Sequence, residues 1–151
     1  MAYQDPFEIA NECLAFAVRR ASRLVTNHYD RHLAELGLRS TQFTILNALA
    51  ALEEVTLSEL AAQLETERTT LTRNLKPMEA RHWLVKRRGR DRRSQLVSLS
   101  PEGRRILAAA VDGWQEAQAR LIARLGRGTY RRLIEELGQL EHACTLETTS
   151  E

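Results

Sequence analysis

The chain has few cysteines and no long apolar segment, and each shortage excludes a class of protein. Its 151 residues include only two cysteines, Cys13 and Cys144, which are far apart and lack the spacing of a metal site, so a disulfide framework is not expected. No apolar run approaches the roughly 18–20 residues of a membrane span, and the first residues lack the basic-then-apolar order of a secretory signal. We therefore expect a cytoplasmic protein that does not insert into membranes.

Catalytic motifs are missing as well. With only 7 glycines, the sequence contains no P-loop, no Gly-x-Gly-x-x-Gly, no His-Glu-x-x-His and no nucleophile elbow. Its 4 histidines are scattered and form no catalytic pattern, so neither an enzyme nor a cofactor is predicted. The hydrophobic share of 43% and the charged share of 28% are typical of a globular chain, and the length suits a single domain over residues 1–151.

Positive charge is concentrated in one segment. The whole chain carries a formal net charge of +2, but residues 68–93 contain ten basic and two acidic residues, so this segment carries +8 and the remainder −6. Of the 22 basic residues, 20 are arginine, whose planar guanidinium matches phosphates and guanine edges. This distribution indicates a polyanionic partner.

The first part of the chain predicts two helices. A 3.6-residue periodicity without proline predicts one long helix over 7–36, and Leu36-Gly37-Leu38 predicts its end, with Gly37 in the left-handed conformation. A second helix is predicted over 42–52 with Ser40 or Thr41 as its cap. Its inward-facing residues are expected to be Phe43, Leu46, Leu49 and Ala50.

The next segment is typical of a helix-turn-helix. Thr56-Leu57-Ser58-Glu59 is a capping box, which predicts a short third helix. Thr66 is the predicted cap of a fourth helix that extends to about His82. Its buried stripe is expected to be Leu71, Leu75 and Met78, although Pro77 lies inside the pattern.

A two-residue period then replaces the helical one. Strands over 84–88 and 95–99 flank a polar loop, which predicts a hairpin with a strongly basic tip. Ser100-Pro101-Glu102 has the order of cap, proline and acid that begins a helix, here predicted to end near Leu125. After Gly126-Arg127-Gly128, a last helix is predicted from Thr129 to about Cys144, followed by a polar tail.

The predicted fold is mostly α with a small β-hairpin, and therefore α+β. A winged helix-turn-helix core over 40–100 is flanked by helices over 7–36 and 101–147. Trp83 is expected in the core or at the base of the wing. Because the terminal helices carry more apolar residues than so small a core can cover, we predict that they are dimerisation helices of a homodimer.

Four segments together resemble the multiple antibiotic resistance regulator (MarR) family. They are Leu57-Ser58-Glu59-Leu60-Ala61, Thr70-Leu71-Thr72-Arg73, Asp91-Arg92-Arg93 and Leu99-Ser100-Pro101-Glu102-Gly103. The resemblance covers nearly the whole chain. It implies a dimeric winged-helix transcription factor. Members of the family are mostly repressors, which are released from DNA by small aromatic acids, oxidants or metals. It also implies that Asp91 braces an arginine of the wing and that Arg93 enters a groove of the DNA.

Two groups of polar residues are predicted to contact double-stranded DNA. On the fourth helix, hydroxyls, methyls and guanidinium groups suit base edges, and the lysine suits a phosphate; the residues are Arg68, Thr69, Thr72, Arg73 and Lys76. At the hairpin tip, arginines suit a narrow minor groove; the tip residues are Arg90, Asp91, Arg92 and Arg93. On the incoming strand, Arg87 and Arg88 suit phosphates. The predicted function is a sequence-specific regulator that binds a pseudo-palindromic operator.

The first helix carries the candidate sensor residues, which are Cys13, Arg19, Arg23, His28 and Tyr29. The sequence favours a buried, inert thiol at Cys13, but nearby arginines keep a thiol-based redox sensor open as an alternative. His28 and His32 have the i, i+4 spacing of a zinc pair, yet without a third ligand no metal is predicted. A helical dimeric interaction protein without DNA binding is the remaining alternative.

Overall fold

The structure, a computed structural model, describes residues 12–89 and 94–148, and the chain divides into two compact units after Trp114. The predicted class is confirmed: helices dominate, with one small antiparallel sheet. The elements are α1 (Leu14–Leu33), a 3₁₀ turn (Ala34–Leu36), α2 (Ser40–Leu52), β1 (Glu54–Thr56), α3 (Leu57–Gln63), α4 (Arg68–Ala80), β2 (Leu84–Arg88), β3 (Gln95–Leu99), α5 (Pro101–Leu125) and α6 (Arg127–Thr148). None of these described helices is long and apolar enough to cross a membrane.

The prediction of one continuous helix over 7–36 is wrong. Cys13 has an extended backbone (φ −75°, ψ 109°) and precedes the first residue of α1, while residues 7–11 lie outside the described residues. Apolar periodicity does not record the backbone conformation of a single residue, so the sequence pattern does not reveal the extended conformation of Cys13. At the other end the prediction is confirmed, because Gly37 is left-handed (φ 61°) and Leu38 donates to the carbonyl of Leu33 over 3.3 Å.

Helix α2 begins without the predicted hydroxyl cap. Arg39 is the cap residue, and its N–H donates to Oε1 of Gln42 over 3.0 Å. The N–H of Ser40 donates to Oδ1 of Asp30 over 2.7 Å. A carboxylate from α1 therefore caps the N-terminus of α2 in place of the predicted hydroxyl of Ser40 or Thr41. Ala50 is also exposed, against expectation, whereas Ile45 is buried.

The helix-turn-helix has the predicted start and an unpredicted turn. Oγ1 of Thr56 accepts from the N–H of Glu59, and the Glu59 carboxylate accepts from the N–H and hydroxyl of Thr56. These bonds lower the pKa of Glu59 below its ordinary 4.5. Between α3 and α4, Glu65 is left-handed (φ 46°), and the cap of α4 is Glu67, not Thr66. Glycine is the usual residue at such a turn, which is why the sequence did not indicate it.

The wing belongs to a sheet of three strands in the order β1-β3-β2. The two predicted strands have the predicted bounds, and Leu84 pairs with Leu99 in the antiparallel ladder. The extra strand β1 was missed because it has only three residues. Its central residue, Val55, is buried opposite Val97, so it extends the core under the hairpin.

The core of the first unit fixes the orientation of α4. The predicted stripe is confirmed, since Leu71, Leu75 and Met78 are at most 1% exposed and belong to the same cluster as Leu46 and Leu60. Pro77 is accommodated inside the helix, which continues to Ala80. Trp83 is 5% exposed and lies at the start of the wing, as predicted. Burial of this stripe therefore leaves the opposite, polar side of α4 in solvent.

The segment Ser100-Pro101-Glu102-Gly103 joins the wing to the end of α4. Oγ of Ser100 accepts from the N–H of Gly103 over 2.9 Å, which confirms it as a cap, and donates to the carbonyl of His82 over 2.6 Å. His82 is itself left-handed (φ 57°). A Cβ on Gly103 would lie 2.1 Å from the carbonyl oxygen of Trp83, so only glycine fits at this contact.

The second unit contains the C-terminal part of α5 and the whole of α6. Gly126 is left-handed (φ 79°) and separates the two helices. Helix α6 begins at Arg127, two residues before the predicted start, and continues to Thr148, so the predicted polar tail from Thr145 is helical as far as Thr148. Its side chains Leu133, Ile134 and Leu137 are between 41% and 55% exposed.

The close approach at Gly103 leads to a stability prediction. Gly103→Ala should lower the free energy of unfolding by about 1–3 kcal/mol or more, because the Trp83 backbone must move. Gly128→Ala is the matched control: no atom lies within 4 Å of its added Cβ, and alanine favours helix, so stability should stay within about 1 kcal/mol of wild type. Equal unfolding midpoints in urea for the two variants would show that the Gly103 contact is not tight.

Candidate nucleic-acid interface

An open groove of about 700 Å³ lies between α4 and strand β2. Its lining is almost entirely basic or hydroxylated, and it brings together all five residues predicted on the fourth helix. The lining residues are Arg68, Thr69, Thr72, Arg73, Lys76, Glu79 and Lys86. A groove of this charge suits a polyanion.

The polar face of α4 is a consequence of its buried face. Residues one turn apart lie on the same side of a helix, so fixing Leu71, Leu75 and Met78 in the core leaves Arg73 and Lys76 exposed. Thr72 is also exposed, and its hydroxyl donates to the carbonyl of Arg68 over 2.8 Å. With its proton committed to the backbone, the Thr72 hydroxyl presents an acceptor, and its methyl group remains available for apolar contact.

The cations of the groove differ in whether they are neutralised. Lys86 on β2 forms an ion pair with Glu79 on α4, and these are the two lining residues that sequence reasoning missed. Within the described part of the chain, Arg68, Arg73 and Lys76 have no ion-pair partner. Their positive charge therefore remains available to a ligand. The alternation along β2 puts Lys86 on the face of buried Leu84, which is the signal that could have identified it.

The strand arginines are divided by the pleat of the sheet. Side chains alternate between faces, so Arg88 shares the face of Lys86, and Arg87 lies on the opposite face. Both are exposed. The N–H of Gly89 donates to the carbonyl of Ser94 over 2.9 Å and closes the hairpin. The predicted tip residues Arg90, Asp91, Arg92 and Arg93 lie outside the described residues.

The candidate sensor residues lie on α1 or immediately before it. Cys13 is exposed, so the buried thiol that the sequence favours is wrong, because α1 begins only after this residue and does not cover it. Arg19 and Arg23 are exposed, whereas His28 and Tyr29 are half-buried, with their rings edge-to-face at 5.7 Å. The structure thus groups the two aromatic candidates and leaves the thiol and the arginines in solvent.

The histidine pair is packed ring against ring. The centroids of His28 and His32 are 4.8 Å apart, and Nδ1 of His32 lies 2.9 Å from the carbonyl of His28. Because a carbonyl only accepts, Nδ1 of His32 carries the proton. Over residues 12–89 and 94–148, no group of three His, Cys, Asp or Glu side chains could hold a metal ion.

Comparisons with known proteins match this architecture. The model of the MarR family matches residues 36–94, which include the helix-turn-helix and strand β2 and end just before β3. The organic hydroperoxide resistance transcriptional regulator of Bacillus subtilis is 32% identical over 109 residues, which cover 72% of this chain and 74% of that protein.

Solved structures extend the likeness to most of the chain. The transcriptional regulator MosR of M. tuberculosis, in complex with DNA, is 40% identical with a TM-score of 0.76, and the match covers 88% of this chain and 98% of that one. The repressor CouR, bound to a 23-mer DNA duplex, is 28% identical with a TM-score of 0.80, and the match covers 92% of this chain and 99% of that one. With an exposed basic recognition helix beside a wing, and with these relatives, the chain belongs to the MarR family of DNA-binding transcriptional regulators.

Proposed function

We propose that the protein is a homodimeric repressor that reads a pseudo-palindromic operator with α4 and the wing. The observation that carries this proposal is the groove of α4, where three cations without an ion-pair partner among the described residues stand beside two threonines. Family membership sets aside the alternative of an interaction protein without DNA binding. A DNA target, together with relatives from bacteria, supports a cytoplasmic location for the protein.

Each half of the operator is contacted in three ways. Arg68, Thr69, Thr72 and Arg73 face base edges in the major groove, because recognition helices read with their N-terminal part. Lys76, Arg87 and Arg88 bind phosphates. The wing tip enters the adjacent minor groove through Arg90, Arg92 and Arg93, with Asp91 as the brace. Thr72 contributes a methyl contact or an acceptor, since its proton is committed to the carbonyl of Arg68.

The proposal of a dimer is supported by large apolar side chains that are exposed to solvent in the single chain. On α1, Leu14, Phe16, Leu24 and Val25 are between 43% and 60% exposed. Within the second unit, α6 exposes Leu133, Ile134 and Leu137. Exposed apolar side chains in such numbers mark an interaction site in each unit, and a symmetric copy supplies matching apolar surface. Two α4 helices related by a two-fold axis then meet two half-sites of a symmetric operator.

Release from the operator is proposed to follow binding of a small aromatic acid or reaction with an oxidant. Arg19 and Arg23 offer charge for a carboxylate, and His28 and Tyr29 offer aromatic surface. CouR has been solved with p-coumaroyl-CoA, and the Bacillus subtilis relative is an organic hydroperoxide resistance regulator; these two relatives support the two routes of the proposal. The exposure of Cys13 keeps the thiol route open.

Base readout and phosphate contact are separable by mutation. Arg73→Ala should weaken binding to the preferred duplex by about 1–3 kcal/mol and affect random duplex far less, because a bidentate base contact carries sequence information. Arg88→Ala should weaken both duplexes by the same factor and flatten the salt dependence, as expected for a phosphate contact. Fluorescence anisotropy over a salt series measures both. A uniform loss for Arg73→Ala would remove it from base readout.

The dimer is tested by mass and by concentration. Sedimentation equilibrium at micromolar protein should give twice the chain mass of 17.2 kDa, and selected binding sites should repeat with half-site centres about 10 base pairs apart. Ile134→Asp should shift the protein toward monomer, because it places a charge on the exposed apolar face of α6. Gln139→Asp adds the same charge at an exposed position of the same helix and should leave the dimer intact. A wild-type monomer would refute the proposal.

A further inference from the structure

A second pocket lies on the other flank of α4, away from the wing. It has a volume of about 320 Å³ and is formed by the segment that leads into α2, the first turn of α2 and the C-terminal half of α4. The residues that matter for its chemistry are Arg39, Thr41, Gln42, Asn74 and Arg81. None of them was predicted as a contact, and none lines the groove beside the wing.

The charge of this pocket is positive. Its described lining contains two arginines and no carboxylate. Arg39 is exposed and forms no ion pair with any described residue. The pocket also borders the N-terminus of α2, where the Asp30 carboxylate already accepts from the N–H of Ser40, so its positive charge comes from the two arginines. These features together favour an anion.

Arg81 is held in position before any ligand arrives. Its Nη1 donates to the carbonyl of Gly37 over 2.6 Å, and its guanidinium lies 5.0 Å from the ring centroid of Trp83. A Cβ at residue 37 would come within 2.9 Å of the same nitrogen, so the left-handed glycine that ends the first helical segment also makes room for this arginine. One hydrogen bond and the Trp83 ring hold Arg81 in place, and its remaining N–H groups stay available.

Gln42 supplies a donor that does not depend on the helix terminus. The residue is only 9% exposed, and its Oε1 accepts from the N–H of Arg39. The amide nitrogen of the same side chain has no acceptor among the described residues, and it is partly accessible to solvent. A nearly buried amide group with an open donor, beside two arginines, is the arrangement expected of a site for an oxyanion.

The position of the pocket identifies which oxyanion it meets. Asn74 and Pro77 lie on one flank of α4, and Arg81 comes directly after its last residue, whereas Thr72, Lys76 and Glu79 lie on the flank that faces the wing. A helix with its side chains is about 10–12 Å wide, and the major groove is about 12 Å wide, so both flanks of an inserted helix meet sugar-phosphate backbones. The wing accounts for one flank only.

We propose that Arg39, Gln42 and Arg81 bind a backbone phosphate of the DNA strand on the flank of α4 opposite the wing. The proposal rests on the insertion of α4 into the major groove and adds the second edge of that contact. The ligand is a phosphodiester oxygen pair, which a guanidinium fork and an amide N–H match in geometry. The contact carries no base information and sets the register of α4 on the duplex.

The test combines a protein variant with a DNA variant. Arg39→Gln removes one exposed charge, and Arg124→Gln removes an equal charge from an exposed residue that lines neither pocket of α4. The probe is the duplex that wild-type protein enriches from a random pool. Arg39→Gln should weaken binding to this duplex and to random duplex by the same factor, roughly tenfold, and reduce the salt slope by about one. Arg124→Gln should leave both affinities within about twofold.

Neutral methylphosphonate linkages then locate the phosphate. Wild-type protein should lose affinity when one particular linkage of each half-site is made neutral. The same replacement should not change the affinity of Arg39→Gln, because this variant has already lost the contact with that phosphate. Arg39→Lys should recover part of both effects. If every linkage weakens wild type and Arg39→Gln equally, the proposed contact is overturned, even when wild type still prefers its selected duplex. If wild type shows no such preference, the proposed function itself fails.

A free anion is the competing occupant of the same chemistry. Inorganic phosphate is titrated at constant ionic strength. It should change the unfolding temperature of wild type and that of Arg39→Gln by the same amount. A rise that is confined to wild type, together with no coupled methylphosphonate, would assign the pocket to a small free anion and overturn the DNA contact. Unfolding temperatures without phosphate should agree between wild type and Arg39→Gln, since the side chain is exposed.

Discussion

Burial of the apolar stripe of α4 is the constraint on which the site depends. Leu71, Leu75 and Met78 are held in a core that α2, α3 and the sheet also supply. Because they are almost fully enclosed, the helix cannot rotate about its axis without exposing them, at a cost of about 1.5–3 kcal/mol for each side chain. The polar face, with Arg73 at its centre, is therefore presented at a fixed angle.

The connections on either side of α4 keep that angle. Before it, left-handed Glu65 closes the turn from α3; after it, left-handed His82 turns the chain into β2. The carbonyl of His82 is held by Ser100, and the pair Glu79–Lys86 joins α4 to the wing. Arg81 ties the end of α4 to Gly37. Helix α4 and the wing are thus held together, and a pocket lies on each flank of α4.

Periodicity was enough to predict the helices of the winged core and the hairpin, since apolar spacing records which face is buried. It predicted the α4 stripe and both hairpin strands, while the residue order Ser100-Pro101-Glu102 predicted the cap at Ser100. It missed features that depend on backbone conformation or distant partners. Glu65 and His82 adopt a conformation that is rare outside glycine, and Ser40 is capped by Asp30 from another helix.

The candidate site was predictable in part for the same reason. Five residues of the α4 groove follow from subtracting the buried stripe from the helix, and the structure brings all five together. Glu79 and Lys86 were missed because their pairing is tertiary. Arg39 and Arg81 were missed because they are 42 positions apart in sequence and share no periodic pattern; only the fold brings them to one pocket.

The account is tested most directly by methylation interference on the selected duplex. Dimethyl sulfate modifies guanine N7 in the major groove and adenine N3 in the minor groove, so one reagent reports on both grooves. Bound DNA should lack N7-methylguanine at two symmetric positions about one helical turn apart, with N3-methyladenine excluded only at the flanks. Interference at adenine N3 alone, or at neither atom, would contradict the insertion of α4 into the major groove.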